Sequence, residues 1–102
     1  MSVVVVATIT PLPEHTDAVR EAILAAGPAV HAEPGCELYA LHEADGSFVM
    51  VERWESTEAL RVHGKAEALT ALGGRLAGKV AGAPVVQRLT PVPAGGAEKG
   101  VV

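Results

Sequence analysis

The residues best equipped for chemistry fall in one stretch, Glu52-Arg53-Trp54-Glu55-Ser56, followed by His63. On a strand, alternate side chains share a face, so Glu52 and Trp54 point the same way as Phe48 and Met50. A carboxylate on that apolar face either accepts a hydrogen bond or has its pKa raised toward the range of a general base working near neutrality. Trp54 is the single tryptophan; its indole offers a flat apolar wall and one N–H donor. His63 follows Ser56 on a short helix facing the strand and could exchange a proton at physiological pH. Each residue also has a plain structural reading: Glu52 as a tie to a neighbouring donor, Trp54 as core, and His63 as a helix-terminal side chain. Tyr39 and His42 lie on the hairpin and could rim a pocket, whereas His15 and His31 flank the first helix.

Other chemistries lack their motifs. There is no His-x-His or Cys-x-x-Cys, and Gly64 interrupts the His63–Glu67 pair, so no metal site is expected. Neither a P-loop nor a Gly-x-Gly-x-x-Gly is present. Three aromatic residues and a net charge of −4 do not make the basic, stacking face that binds RNA, and no nucleic-acid partner is expected. The lone Cys36 cannot close a disulfide within the chain, which favours a reducing, cytoplasmic setting. The wholly apolar run Val3–Ala7, which no other such run exceeds, is too short for a membrane span.

These residues need elements to position them. Val3–Thr10 is almost entirely β-branched or apolar and reads as a strand that Pro11 ends. From Glu14 the spacing of Val19, Ala22, Ile23, Ala26 and Val30 is helical, with a kink expected at Gly27-Pro28. Glu33-Pro34-Gly35-Cys36 suits a type II turn. Cys36–Glu43 and Ser47–Glu55 then form a hairpin around Asp45-Gly46. Ser56 is the expected N-cap of a short helix ending near Gly64. A further helix carries Leu69, Leu72, Leu76 and Val80 on one stripe, loosened by Gly73 and Gly74. Val85–Val92 completes the set as a strand.

The order strand-helix-strand-strand-helix-strand is the split βαβ of an α+β, ferredoxin-like fold. A single domain over residues 1–93 and a flexible tail over 94–102 are expected, consistent with a length of 102 residues. Helices cover one face of such a sheet, yet the first strand is apolar on both. A homodimer through the open sheet face is therefore expected. The pocket is expected between the sheet and the last two helical segments, walled by Met50, Glu52, Trp54, His63 and Leu72.

At Glu52-Arg53-Trp54-Glu55-Ser56, Glu58-Ala59-Leu60 and His63 the sequence resembles the antibiotic biosynthesis monooxygenase family. The opening Val-Val-Ala-Thr, the Glu-Pro-Gly-Cys turn and the closing Leu-Thr-Pro-Val agree, so that the resemblance covers residues 2–93. It implies a dimeric α+β barrel and oxygenation of a small quinol or polycyclic phenol by dioxygen without flavin, haem or metal. Carried onto this chain, it implies Trp54 lining the pocket, His63 as acid–base and Glu52 as orienting group or proton acceptor. Met50, Leu72 and Tyr39 are the further substrate-contact candidates, and Arg75 is preferred to Arg53 as an anion clamp. The family's polyketide-oxidising members carry an asparagine where this chain has Met50, and this chain contains none. Its haem-degrading members carry a tryptophan at the position of His63 and a haem-ligating histidine at that of Gly73, so no haem is implied. The alternative reading is a non-catalytic dimeric protein that holds a metabolite in the same pocket.

Overall fold

In the computed structural model, residues 2–102 are described. Strand β1 (Val3–Ile9) pairs antiparallel with β3 (Ser47–Trp54), bringing Val5 opposite Glu52, Ala7 opposite Met50 and Ile9 opposite Phe48. β3 pairs in turn with β2 (Cys36–Ala44), and the far side of β1 pairs with β4 (Val85–Leu89). The resulting order, β2-β3-β1-β4, is the four-stranded antiparallel sheet of a ferredoxin-like α+β fold. β4 stops at Leu89 rather than Val92: Leu89 makes the last pair, with Val4, and Pro91 has no N–H to extend the ladder.

Helix α1 (Thr16–His31) is preceded by a 3-10 turn over Pro13–His15. It continues as one element through Gly27-Pro28, burying Val19, Ala22, Ile23 and Val30. Helix α2 (Thr57–Gly64) opens as the sequence indicates, with the Ser56 hydroxyl accepting from the Ala59 N–H at 3.1 Å. Helix α3 (Glu67–Leu76) is shorter than its apolar stripe suggests, and Val80 is not on it. Gly78 turns the chain at φ +76, and Val80 instead forms an isolated bridge with Pro11. The hydrophobic spacing of Val80 arises because the segment beyond the turn packs against the same core as the helix.

The core lies between the sheet and the helices, with Trp54, Phe48, Ile23, Val19 and Val30 its largest fully buried side chains. The opposite sheet face carries Val4, Val6, Val49 and Val51, and part of it is covered by this chain's own C-terminal residues. Val4 is buried, and beside it runs a groove lined by Leu89, Pro91, Val92, Val101 and Val102. Among the described residues no helix is long and apolar enough to cross a membrane.

Candidate active site

Two local features aim side chains at one place. The first is a bulge in β2: Cys36 pairs with Trp54, yet Leu38 pairs with Arg53, leaving Glu37 as an extra residue. Unbroken alternation would set Tyr39 opposite Val51, on the face away from the helices. The bulge sets it opposite Glu52, on the helix side. The second is the turn after α1. Gly35 adopts φ +80, as a type II turn requires, and its carbonyl accepts from the Glu55 N–H at 2.9 Å. A Cβ at Gly35 would stand 2.6 Å from that of Ala59, so glycine permits the turn to approach α2 closely. This approach brings Glu33 to His63.

The polar groups that meet there are buried. The Trp54 Nε1–H donates to Glu52 Oε1 at 2.9 Å. His63 stacks on the Trp54 indole, with centroids 4.4 Å apart, and Tyr39 presents its ring edge-on to His63 at 5.7 Å. His63 Nδ1 is 2.9 Å from Glu33 Oε1, and its Nε2 is 3.9 Å from Glu52 Oε1. Burial pushes the Glu52 carboxyl above its ordinary value; the Trp54 hydrogen bond and the charge His63 carries when protonated pull it partly back. Burial likewise raises the Tyr39 phenol well above its usual range, with the Glu52 and Glu33 charges adding to the effect.

Beside this cluster lies a cavity of about 340 Å³ between the sheet and helices α2 and α3. Ala7, Ile9 and Met50 line it from the sheet, Leu69, Leu72 and Leu76 from α3, and Tyr39, Glu52 and His63 supply polar groups. The volume is within the range of small-molecule sites. Of the residues expected from sequence, Met50, Glu52, His63, Leu72 and Tyr39 thus meet at one cavity.

Trp54 and Arg75 do not. Trp54 is completely buried and lies behind His63, since stacking on the imidazole and bonding to Glu52 use both its face and its N–H. Arg75 is exposed and borders a groove between α1 and α3 with Ala25, Ala29 and Ala71. Leu72 and Leu76 take the sheet-facing stripe of α3, which turns Arg75 aside. Arg53 is on the opposite sheet face, as alternation requires, donating to Glu37 Oε1 at 3.1 Å. His42 is exposed at the hairpin, and its Nδ1 lies 3.2 Å from the Ala40 carbonyl. Glu33 is the member of the cluster that sequence reasoning missed, because its Pro-Gly context reads as turn chemistry alone. For Tyr39 the signal was available: apolar Cys36 and Tyr39 are three positions apart, a spacing that a bulge explains. Among the described residues no three His, Cys, Asp or Glu side chains are arranged to hold a metal ion.

Residues 2–73 match the family model for antibiotic biosynthesis monooxygenase. The chain belongs to that family. Solved structures agree with the family assignment. A Caulobacter crescentus protein assigned by name to the antibiotic biosynthesis monooxygenases is 30% identical over 89% of this chain and 90% of its own, with a TM-score of 0.83. Rv0793 from Mycobacterium tuberculosis is 26% identical over 94% of this chain and all 100% of its own, with a TM-score of 0.86. PA3566 from Pseudomonas aeruginosa is 26% identical, covering 89% and 94% of the two chains, with a TM-score of 0.82. No curated protein matches the chain. The family assignment and the Caulobacter crescentus neighbour support a general monooxygenase-like function.

Proposed function

We propose that this protein is a monooxygenase that oxidises a small quinol or polycyclic phenol with dioxygen, the substrate itself supplying the electrons. The observation that carries this reading is the apolar cavity whose polar groups are His63, Glu52 and Tyr39. Such a cavity offers an apolar substrate a mostly apolar lining while keeping a proton acceptor beside it. For a phenol with an oxidisable CH2, His63 takes a proton at Nε2, leaving a delocalised carbanion. That anion passes one electron to dioxygen; the radical pair then forms a C–O bond, and the peroxide recovers the proton from His63. Loss of the second C–H proton to His63 breaks the O–O bond, giving a carbonyl and hydroxide, which takes that proton to become water. Two C–H bonds are broken, one oxygen atom enters the product and the other leaves as water. Glu52 orients the substrate hydroxyl, and Met50, Leu72 and Tyr39 contact its ring.

Oxygen uptake with a panel of quinols and anthrones, with product identified by mass spectrometry, tests the reaction. The expected result is one oxygen atom incorporated per dioxygen consumed. A protein that binds these compounds in the cavity but consumes no oxygen is instead a metabolite-binding member of the family. Met50 favours that second reading, because it puts a thioether in the cavity where polyketide-oxidising members carry an amide.

The protein acts as a homodimer in this reading, joined through the sheet face bearing Val6, Val49 and Val51. A stable interface of this kind buries about 2,000 Å² or more. Light scattering at micromolar concentration is expected to return twice the chain mass, and a monomer mass overturns the assembly.

A further inference from the structure

We infer that Glu33 is a positioning residue, holding the His63 imidazole as its Nδ1–H tautomer so that the Nε2 lone pair is presented beside Glu52 and the cavity; this rests on the proposed role of His63 as proton acceptor. The contact deciding it is the 2.9 Å separation of Glu33 Oε1 from His63 Nδ1. A carboxylate oxygen accepts, so Nδ1 carries the hydrogen, and in the neutral imidazole Nε2 is left bare. The distance from Nε2 to Glu52 Oε1, 3.9 Å, is too long for a hydrogen bond. That lone pair is therefore not consumed by a neighbouring protein donor.

The imidazole has one orientation that satisfies its surroundings. Trp54 stacks on it and Tyr39 meets it edge-on. A half-turn of the ring would place carbon against Glu33 and leave a buried carboxylate with no partner. Glu33 is itself fixed from both sides, its N–H donating to the Val30 carbonyl at 3.0 Å and its carbonyl accepting from the Cys36 N–H at 3.2 Å.

The Glu33 side chain is only 12% exposed, and its second oxygen, Oε2, is buried with no hydrogen-bond partner. A carboxylate removed from water for a single bond contributes little to stability, since desolvation offsets most of the attraction. A device that only fastened the turn to α2 would be served as well by apolar packing. Glu33 gives something packing cannot, a directional acceptor that distinguishes the two imidazole nitrogens.

The test is 15N–1H long-range correlation spectroscopy of the histidine rings at about pH 8.5, where an ordinary imidazole is neutral. His63→Ala assigns the His63 signals. In the wild type His63 is expected with hydrogen on Nδ1 and a bare Nε2; Glu33→Ala is expected to give a mixture of tautomers. A wild-type Nε2–H form, an imidazolium at that pH, or an unchanged tautomer in Glu33→Ala overturns the inference. Should Glu33→Ala not fold, the wild-type spectrum decides alone. With a quinol that turns over, Glu33→Ala is expected to lower kcat roughly ten-fold or more with KM little changed. Failure of the wild type to consume oxygen sinks the proposed reaction, while the spectra still decide the role of Glu33.

Discussion

The imidazole of His63 lies against the indole of Trp54, with centroids 4.4 Å apart and planes inclined by 27°. The same indole donates its N–H to Glu52 at 2.9 Å, so Trp54 braces both candidate proton-transfer groups without lining the cavity. Its position gives the pair a fixed geometry from behind, while Leu72 and Met50 shape the space in front. Shaping of the cavity and orientation of the polar side chains are thereby divided between separate residues.

Trp54→Phe separates these roles. Phenylalanine retains a ring beneath His63 but leaves Glu52 Oε1 without its donor, at a residue only 5% exposed. Leaving a buried acceptor unpaired costs about 1–3 kcal/mol, measurable by urea denaturation. Because Trp54 does not line the cavity, kcat is expected to fall more than KM rises. His63→Ala, removing the proposed proton acceptor, is expected to lower kcat about 10²-fold.

Glu52 makes stability depend on pH in a predictable direction. Its folded-state pKa lies above the ordinary 4.5, chiefly through burial, so between these two values the folded protein holds more protons than the unfolded chain. Stability therefore declines as pH rises from about 4.5 through the raised value, and the penalty is fully in place above it. Glu52→Gln, which can still accept from Trp54, removes this component. Thermal unfolding of wild type and variant across that pH range is expected to show a shallower decline in the variant; parallel curves would remove Glu52 as its source.

How far the sequence discloses this site can be traced through its members. Alternation along β3 puts Met50, Glu52 and Trp54 on one face, because that strand is regular and fully paired. The Ser56 cap and the turn at Gly35 are equally legible, since each depends on a local side chain or dihedral. What is not local is lost. Glu33 and His63 are 30 positions apart, and their meeting depends on how closely a turn approaches a helix. Trp54 lies on the face and beside the neighbours that alternation indicates, but His63 stacks between it and the cavity, whereas Arg75 is turned aside because its facing is settled by how α3 packs against the sheet and α1. Val80 misleads for a related reason: apolar spacing survives the end of a helix when the chain beyond it serves the same core.

Gly35→Ala tests the turn that delivers Glu33. An alanine there must adopt φ +80, costing roughly 1–2 kcal/mol, and its Cβ would meet Ala59 Cβ at 2.6 Å. The expected destabilisation is about 2 kcal/mol or more, since neither backbone segment can yield without breaking the bond from Glu55 N–H to the Gly35 carbonyl. A denaturation midpoint unchanged from wild type would show that the turn has room this geometry denies it.

Gly73 and Gly74 offer a paired test of the cavity, because they are adjacent in α3 but only Gly73 lines it. A Cβ at either position meets nothing within 4 Å, and neither has a positive φ, so alanine fits both. Alanine in place of a helical glycine stabilises by about 0.5–1 kcal/mol through reduced backbone entropy of the unfolded chain. Gly74→Ala is therefore expected to raise the unfolding midpoint and leave ligand binding untouched. Gly73→Leu is also expected to fold, with its longer side chain entering the roughly 340 Å³ space beside Leu72. Binding of a quinol, followed by calorimetry, should then weaken by about 10-fold or more, as a loss of about 1.4 kcal/mol implies. Equal quinol affinity in Gly73→Leu and wild type, with both variants folded, would mean that the ligand occupies a different part of the molecule.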